Sequence, residues 1–524
     1  MSLVIAGHLV PLAPGAEDET FDGRVWIGDD GLVAAVTRSG QAAPSGFDGA
    51  PVVDVGGDLV LPGFVDLHSH IGYNTLPLWT QPGEAAPYAH RDIWPNRKTY
   101  KPDVAWPAWT LSNAAPETMY AYVQTRALAG GTTAIQGWPA ASRPPTNRLV
   151  RSVDDDQVGP LRDPVAVSLQ ALEKEQLQRR AKEVLGTGRS FVYHLAEGQV
   201  GSLAARDFDA MSGPGWTCLK PGFVAIHANA LDAAAFRTWA QKAEAPAGST
   251  AGTVVWSPLS NLWLYGSTTA VPDVRAAGIG VALGTDWGPS GTKNQLGEIK
   301  VARVWSDHQG WGLTDADLVR MITTTPGDAL ARAWKVPVGR LVPGGLGDVA
   351  VLSRRGGDVW HDVVAARDAD VSLVVVGGRP RFGTAALLKA GGAANTTAVP
   401  VGTARRRVTL VRPDDPSKTW SWKDVLARLD SVRADAAVNP PRGAAGLRAA
   451  AGAPGAGDPP GTPVIAVRLD MPGGPGATAG PPPKGQTVDI PPIEPLNHSR
   501  AWLASLKGRG FHGGVLDGLR SFYG

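Results

Sequence analysis

The stretch Leu59-Val60-Leu61-Pro62-Gly63-Phe64-Val65-Asp66-Leu67-His68-Ser69-His70 decides how this chain is read. An apolar run ending in two histidines two residues apart places both imidazoles on one side of a strand, at its C-terminal mouth. Two neutral imidazole nitrogens aimed at one point suit a borderline cation such as zinc or ferrous iron. Alternate histidines also occur as ordinary core or surface residues, so the pair gains weight only from its company. That company follows in order. Phe191-Val192-Tyr193-His194-Leu195-Ala196-Glu197 offers a histidine with a glutamate three residues on, and Val224-Ala225-Ile226-His227 offers another histidine. Val281-Ala282-Leu283-Gly284-Thr285-Asp286 offers an aspartate. In a parallel β/α barrel every strand ends at one mouth, so residues far apart in sequence converge there.

The pattern outside these runs divides the chain into zones. Residues 1–62 read as short strands, with an Asp29-Asp30-Gly31 turn between Val25-Trp26-Ile27-Gly28 and Leu32–Val36 that signals a hairpin. Residues 63–340 alternate strands with helical stretches, the signature of β/α units on a parallel sheet. Pro116–Ala129, opened by a proline and stopped by Gly130-Gly131, is the clearest helix. Another is expected from Thr325-Pro326, with Leu330 and Trp334 on one face. Two strands between Leu149 and Leu169 are poorly resolved by pattern. Residues 341–385 return to strand character and could complete the first small sheet. Residues 386–524 form an extension rich in Ala, Gly and Pro, close to low complexity from Gly443 to Lys484 and regaining helical spacing from Trp502 to Tyr523.

Composition narrows the function. Among 524 residues, 50 basic and 48 acidic side chains leave a formal charge of +2, which argues against nucleic-acid or acidic-membrane partners. One cysteine, Cys218, rules out an internal disulfide framework and fits a reducing compartment. The first residues lack the basic and apolar regions of a signal peptide, and no stretch approaches ~18 apolar residues. The expectation is a cytoplasmic protein acting on a small molecule.

The motifs together resemble the amidohydrolase superfamily, in its deaminase and chlorohydrolase branch. The resemblance spans roughly residues 1–385 and rests on Pro62–His70, Gly130-Gly131-Thr132-Thr133, His194-x-x-Glu197, His227, Ser257-Pro258-Leu259-Ser260-Asn261 and Gly284-Thr285-Asp286. It implies a (β/α)8 barrel with a small β-sandwich built from the segments flanking it. It also implies that His68, His70, His194 and Asp286 hold one divalent metal, Zn2+ first and Fe2+ second. Asp286 would accept a proton from the attacking water, Glu197 would shuttle it to a ring nitrogen or leaving group, and His227 would stabilise that water or the developing oxyanion. The family's binuclear branch uses a strand lysine to bridge two metals. The lysines between Asp154 and Ser190 are Lys174 and Lys182, both on an amphipathic helical stretch, so one metal is favoured.

Substrate contacts are expected from Asn261, from Trp79 and His90 in the long segment between Ile71 and Ala115, and from Lys293 and Asn294 just beyond Asp286. The reaction expected first is deamination of an amino-substituted heterocycle, or opening of a cyclic amide. The alternatives are a lyase, dehydratase or cyclising enzyme on the same metal barrel, and a non-catalytic scaffold. A homodimer is the expected assembly for the class.

Overall fold

A computed structural model describes residues 2–138, 140–141, 145–153, 166–168, 174–214, 218–441, 467–468, 480–508 and 511–523. The run that ends in His68 is two strands, not one. Val52–Pro62 belongs to one sheet and Phe64–Asp66 to another, parted at Gly63. A Cβ at Gly63 would stand 2.2 Å from the Thr133 hydroxyl oxygen, so only glycine lets the chain cross from sheet to sheet there.

The first sheet has nine strands in the order Thr396–Val401, Ala404–Thr409, Arg379–Gly383, Val371–Val376, Val349–Leu352, Val52–Pro62, Leu3–Leu9, Phe21–Ile27 and Val33–Arg38. The Phe21–Ile27 and Val33–Arg38 strands form the expected hairpin, with Ile27 opposite Val33. The first two strands in that order come from the extension, where no strands were expected. They are joined by Gly402 at φ +59°.

The layer that carries the histidines is built from eight parallel strands in two arcs. Five are Ala166–Ser168, Phe191–Leu195, Phe223–His227, Thr253–Trp256 and Gly280–Leu283. Three are Phe64–Asp66, Thr132–Ile135 and Arg151–Ser152. The arcs meet where the Asp286 amide donates to the His68 carbonyl (2.9 Å), and where Met321 and Ile322 accept from Leu283 and Val65. Among the described residues no ladder joins Arg151–Ser152 to Ala166–Ser168. Val65, Leu67, Ala134, Val192, Val224, Ile226, Val255 and Ala282 form one buried cluster with Leu330 and Trp334 of the helix Thr324–Trp334. This apolar plug fills the space beneath the histidines. No helix among the described residues is long and apolar enough to cross a membrane.

The C-terminal segment is seated against the body through buried polar contacts. His498 Nδ1 lies 3.1 Å from Asp368 Oδ2, both fully buried, and Asp368 also accepts from the Asn294 amide and the His498 backbone. Burial opposes the charge on Asp368, but these partners hold its carboxyl well below the usual range. Removing the acceptor leaves buried donors unsatisfied, at about 1–3 kcal/mol. Asp368→Ala is therefore expected to lower unfolding stability by about that amount, read as a shifted urea midpoint with an unchanged slope.

Candidate metal centre and active site

Six polar side chains meet above the apolar plug, all buried: His68, His70, His194, Glu197, His227 and Asp286. Ring centroids of His68 lie 5.1 Å from His70, 4.7 Å from His194 and 4.9 Å from His227. Asp286 Oδ1 is 3.1 Å from His68 Nε2 and 3.6 Å from His70 Nε2. Two sets of ligand atoms lie close enough to share one cation, His68 with His70 and Asp286, and His68 with His194 and His227.

The strand ends, not the strands, aim these groups. Ala196, His227, Ala228 and Asp286 all have positive φ, between +50° and +67°. Non-glycine residues adopt this left-handed region at a cost of about 1–3 kcal/mol each. Strain concentrated at three of the ends where functional side chains leave their strands is what a preorganised site stores. Asp66 stitches the first and last of these ends together. It accepts from the His68 amide (3.1 Å), the Thr285 amide (3.2 Å) and the Thr285 hydroxyl (2.5 Å). Burial pushes its carboxyl up to about 6.

The donor set fits a divalent metal. Both ring nitrogens of His194 and Nδ1 of His68 are buried without a hydrogen-bond partner, as is Glu197 Oε2. Buried polar atoms are ordinarily paired, and a cation at their centre would satisfy them. Three of the four imidazoles are held neutral: burial, then the neighbouring His68, lowers His70 to about 3, and His194 and His227 fall well below their usual value for the same two causes, whereas Asp286, against the burial that would lower it, holds His68 above its usual value. Neutral imidazoles are the ligand form. Against the burial that would raise it, Asp286 is held well below the carboxylate range by His68, His227 and His70, and so stays ionised.

Glu197 stands apart from the ligand cluster in its chemistry. Burial, then the like charge of Asp286, pushes its carboxyl up to about 7, where it can both give and take a proton. Tyr265 donates to Glu197 Oε1 at 2.6 Å while accepting from the Trp94 indole at 3.1 Å. Asp66 and Tyr265 were not singled out from sequence, whereas Trp94 was expected among the tryptophans of the long segment Ile71–Ala115. An acid inside the apolar run Phe64–Leu67 was the available signal for Asp66; nothing local marked Tyr265.

The long segment after His70 covers this site. Trp287 packs on Tyr73 (5.4 Å), Trp94 (5.0 Å) and His70 (6.5 Å between centroids), and Tyr100 bridges Trp94 to Trp79. Trp79 thus lies in the aromatic wall, separated from the histidines by Tyr100 and Trp287. His90 pairs with Asp92 and bridges Gly198, next to Glu197 but outside the cluster. Arg91 anchors the segment, donating to the His194 carbonyl and pairing with Asp207.

Lys293 and Asn294 have partners away from the histidine cluster. Lys293 Nζ binds Glu494 (2.7 Å) and the Pro495 carbonyl (2.7 Å), while Asn294 caps the helix Gln295–Gln309 and donates to Asp368. They hold the C-terminal segment, because the chain turns outward as that helix begins. Asn261 sits beside the cluster, with its amide committed to His227 and Thr268.

Glu298, on that same helix, fixes the neighbouring loop by accepting from the Leu259 amide (3.0 Å) and the Thr292 hydroxyl (2.5 Å). Burial raises its carboxyl from 4.5 to about 8. The folded chain therefore keeps a proton that the unfolded chain releases, so this contribution is complete below pH 4.5 and lost as pH rises through about 8. Glu298→Gln mimics the protonated form. Relative to wild type, its stability is expected to rise with pH across that window, by up to about 1.4 kcal/mol per unit, read as Tm differences at pH 5 and pH 8.

Known proteins carry the same framework. No family model matches the chain. A 5-methylthioadenosine/S-adenosylhomocysteine deaminase of Moorella thermoacetica is 26% identical over 397 residues, 68% of this chain and 89% of the relative. Its counterpart from Desulfitobacterium hafniense is 22% identical over 412 residues, 72% of this chain and 93% of the relative. Among solved structures, a zinc-bound adenosine deaminase from Xanthomonas campestris superposes with a TM-score of 0.52 at 16% identity, covering 72% of this chain and 92% of that one. Guanine deaminase from C. acetobutylicum with bound guanine gives 0.50 at 16% identity, covering 72% and 100%. The chain is thus similar in sequence to 5-methylthioadenosine/S-adenosylhomocysteine deaminases and shares its fold with the adenosine and guanine deaminase structures.

Proposed function

We propose that this protein is a metal-dependent hydrolase that deaminates an amino-substituted heterocycle, and that its two parallel arcs form the family's (β/α)8 barrel. The observation that carries the reaction is the company of Glu197: a carboxyl raised to about 7, buried with the neutral His70, His194 and His227 and an ionised aspartate paired with His68. A scaffold would have no use for that arrangement.

His68, His70, His194 and Asp286 would hold one divalent metal, zinc by likeness to the zinc-bound adenosine deaminase. Bound there, the metal lowers the pKa of water so that a hydroxide nucleophile is available near neutral pH. Asp286 takes the proton that the water gives up. Glu197 would protonate the ring nitrogen, the proton taken by Asp286 would pass to the exocyclic amine, and the proton of the new hydroxyl would restore Glu197 as the carbonyl forms. A C–O bond forms, the C–N bond breaks, and ammonia leaves. His227 steadies the water during attack. Trp287, Trp94 and Tyr73 wall the site with aromatic faces suited to a flat ring.

The sequence relatives point to adenine nucleosides that carry a thioether at the 5′ position. The test is elemental analysis followed by ammonia release from 5′-methylthioadenosine, S-adenosylhomocysteine, adenosine, guanine and a cyclic amide. About one zinc per chain, with release from a nucleoside, is expected. Ring opening without ammonia, or no metal after reconstitution, would overturn the reading.

A further inference from the structure

We propose that Asn261 sets the proton position on His227, so that His227 meets the reacting water as a donor through Nε2 and is not a metal ligand. His227 is the ambiguous member of the cluster, since its ring nitrogen is close enough to His68 and His194 to share a cation with them. A neutral imidazole can ligate only through its unprotonated nitrogen, so the tautomer decides the role.

A directed chain of hydrogen bonds fixes that tautomer. It starts at the Trp256 indole, which can only donate, and which lies 2.6 Å from the Thr268 hydroxyl oxygen. With that oxygen already accepting, the Thr268 hydrogen goes to Asn261 Oδ1, 3.2 Å away. The Asn261 amide group then faces His227 Nδ1 at 3.0 Å and must donate to it. Nδ1 is an acceptor, and the hydrogen resides on Nε2. Rotating the amide by half a turn would aim a second N–H at Thr268 and leave the threonine hydrogen without this acceptor.

The ring is held as firmly as the proton. The Thr269 hydroxyl donates to the His227 carbonyl (2.8 Å), at a residue whose backbone is left-handed. Nε2 lies 3.7 Å from Glu197 Oε1 and 3.9 Å from Asp286 Oδ2. Both separations are too long for direct hydrogen bonds and suit a water held among the three. Asn261 is therefore a positioning residue, acting through His227. The identity of the water rests on the proposed reaction; the tautomer does not.

The experiment is a long-range proton–nitrogen NMR spectrum of zinc-loaded protein labelled with 15N at histidine, with His227→Gln identifying the His227 signals. Wild type is expected to show the neutral Nε2–H pattern. Asn261→Asp, which can only accept from the ring, is expected to invert it to Nδ1–H. Thr268→Val, which frees the amide to rotate, is expected to mix the two forms, and Thr268→Ser to keep the wild-type pattern. The threonine pair stands in if the aspartate variant does not fold. Asn261→Ala should retain its zinc while ammonia release slows by about 10–100-fold in kcat with KM little changed. A wild-type Nδ1–H or zinc-coordinated pattern at His227, or a pattern unmoved in Asn261→Asp and in Thr268→Val, would overturn the proposal. Loss of the deaminase reading alone would leave these spectra as expected and show only as absence of ammonia release.

Discussion

Asp286→Asn is expected to leave the protein folded but nearly free of metal and inactive. Asp286 is the one carboxylate facing both His68 and His70, at 3.1 and 3.6 Å, and supplies the negative charge in that set. Losing an outer partner of a metal ligand already weakens binding by roughly 10–100-fold, so losing this ligand should exceed about 100-fold. The main chain has reason to survive, because the Asp286 amide and carbonyl keep their bonds to His68 and Ser69. Metal content by elemental analysis, beside the far-ultraviolet circular dichroism of the same sample, checks this. A variant that retained about one metal per chain would remove Asp286 from the ligand set.

Glu197→Gln is expected to behave in the opposite way, keeping its metal while kcat falls by roughly 10²–10⁴, the usual worth of a positioned proton donor. Glutamine preserves the shape and can still accept from Tyr265, which now donates at 2.6 Å. It cannot take up and release a proton. Parallel metal analysis and single-turnover ammonia release distinguish this variant from Asp286→Asn. A fall of less than tenfold would mean that another group moves the proton.

The convergence of the histidines was legible because each ends an apolar β run, and a run of that kind fixes where the side chain emerges. The helix Pro116–Ala129 was legible for a similar reason, bracketed by a proline and two glycines. What escaped depended on contacts between distant segments. Pro62-Gly63 divides one apolar run between two sheets, a break visible only once Thr133 is packed against Gly63. Thr396–Val401 alternates buried and exposed positions as an edge strand should, but its alanine- and glycine-rich surroundings hid the period. Lys293 and Asn294 are near Asp286 along the chain, but their bonds to Glu494 and Asp368, distant in sequence, could not be read from it. The left-handed backbone at His227 and Asp286 left no trace in residue type, since neither is glycine.

The C-terminal contacts also impose an order of events on synthesis. Lys300 is buried, its ammonium capped by the Leu296 and Ala366 carbonyls and covered by the rings of Phe522 and Tyr523, 5.8 and 5.6 Å away. Asp368 waits in the same way for His498. At about 5–20 residues per second, the ribosome needs on the order of tens of seconds to travel from the helix Gln295–Gln309 to those residues. During that interval the outer face of the helix is wet and its charges are uncovered, while the segments that carry His68, His70, His194, His227 and Asp286 have already been made. The nascent protein can thus be complete at its chemical centre while still unfinished at its wall, a state in which chaperones and proteases would meet it.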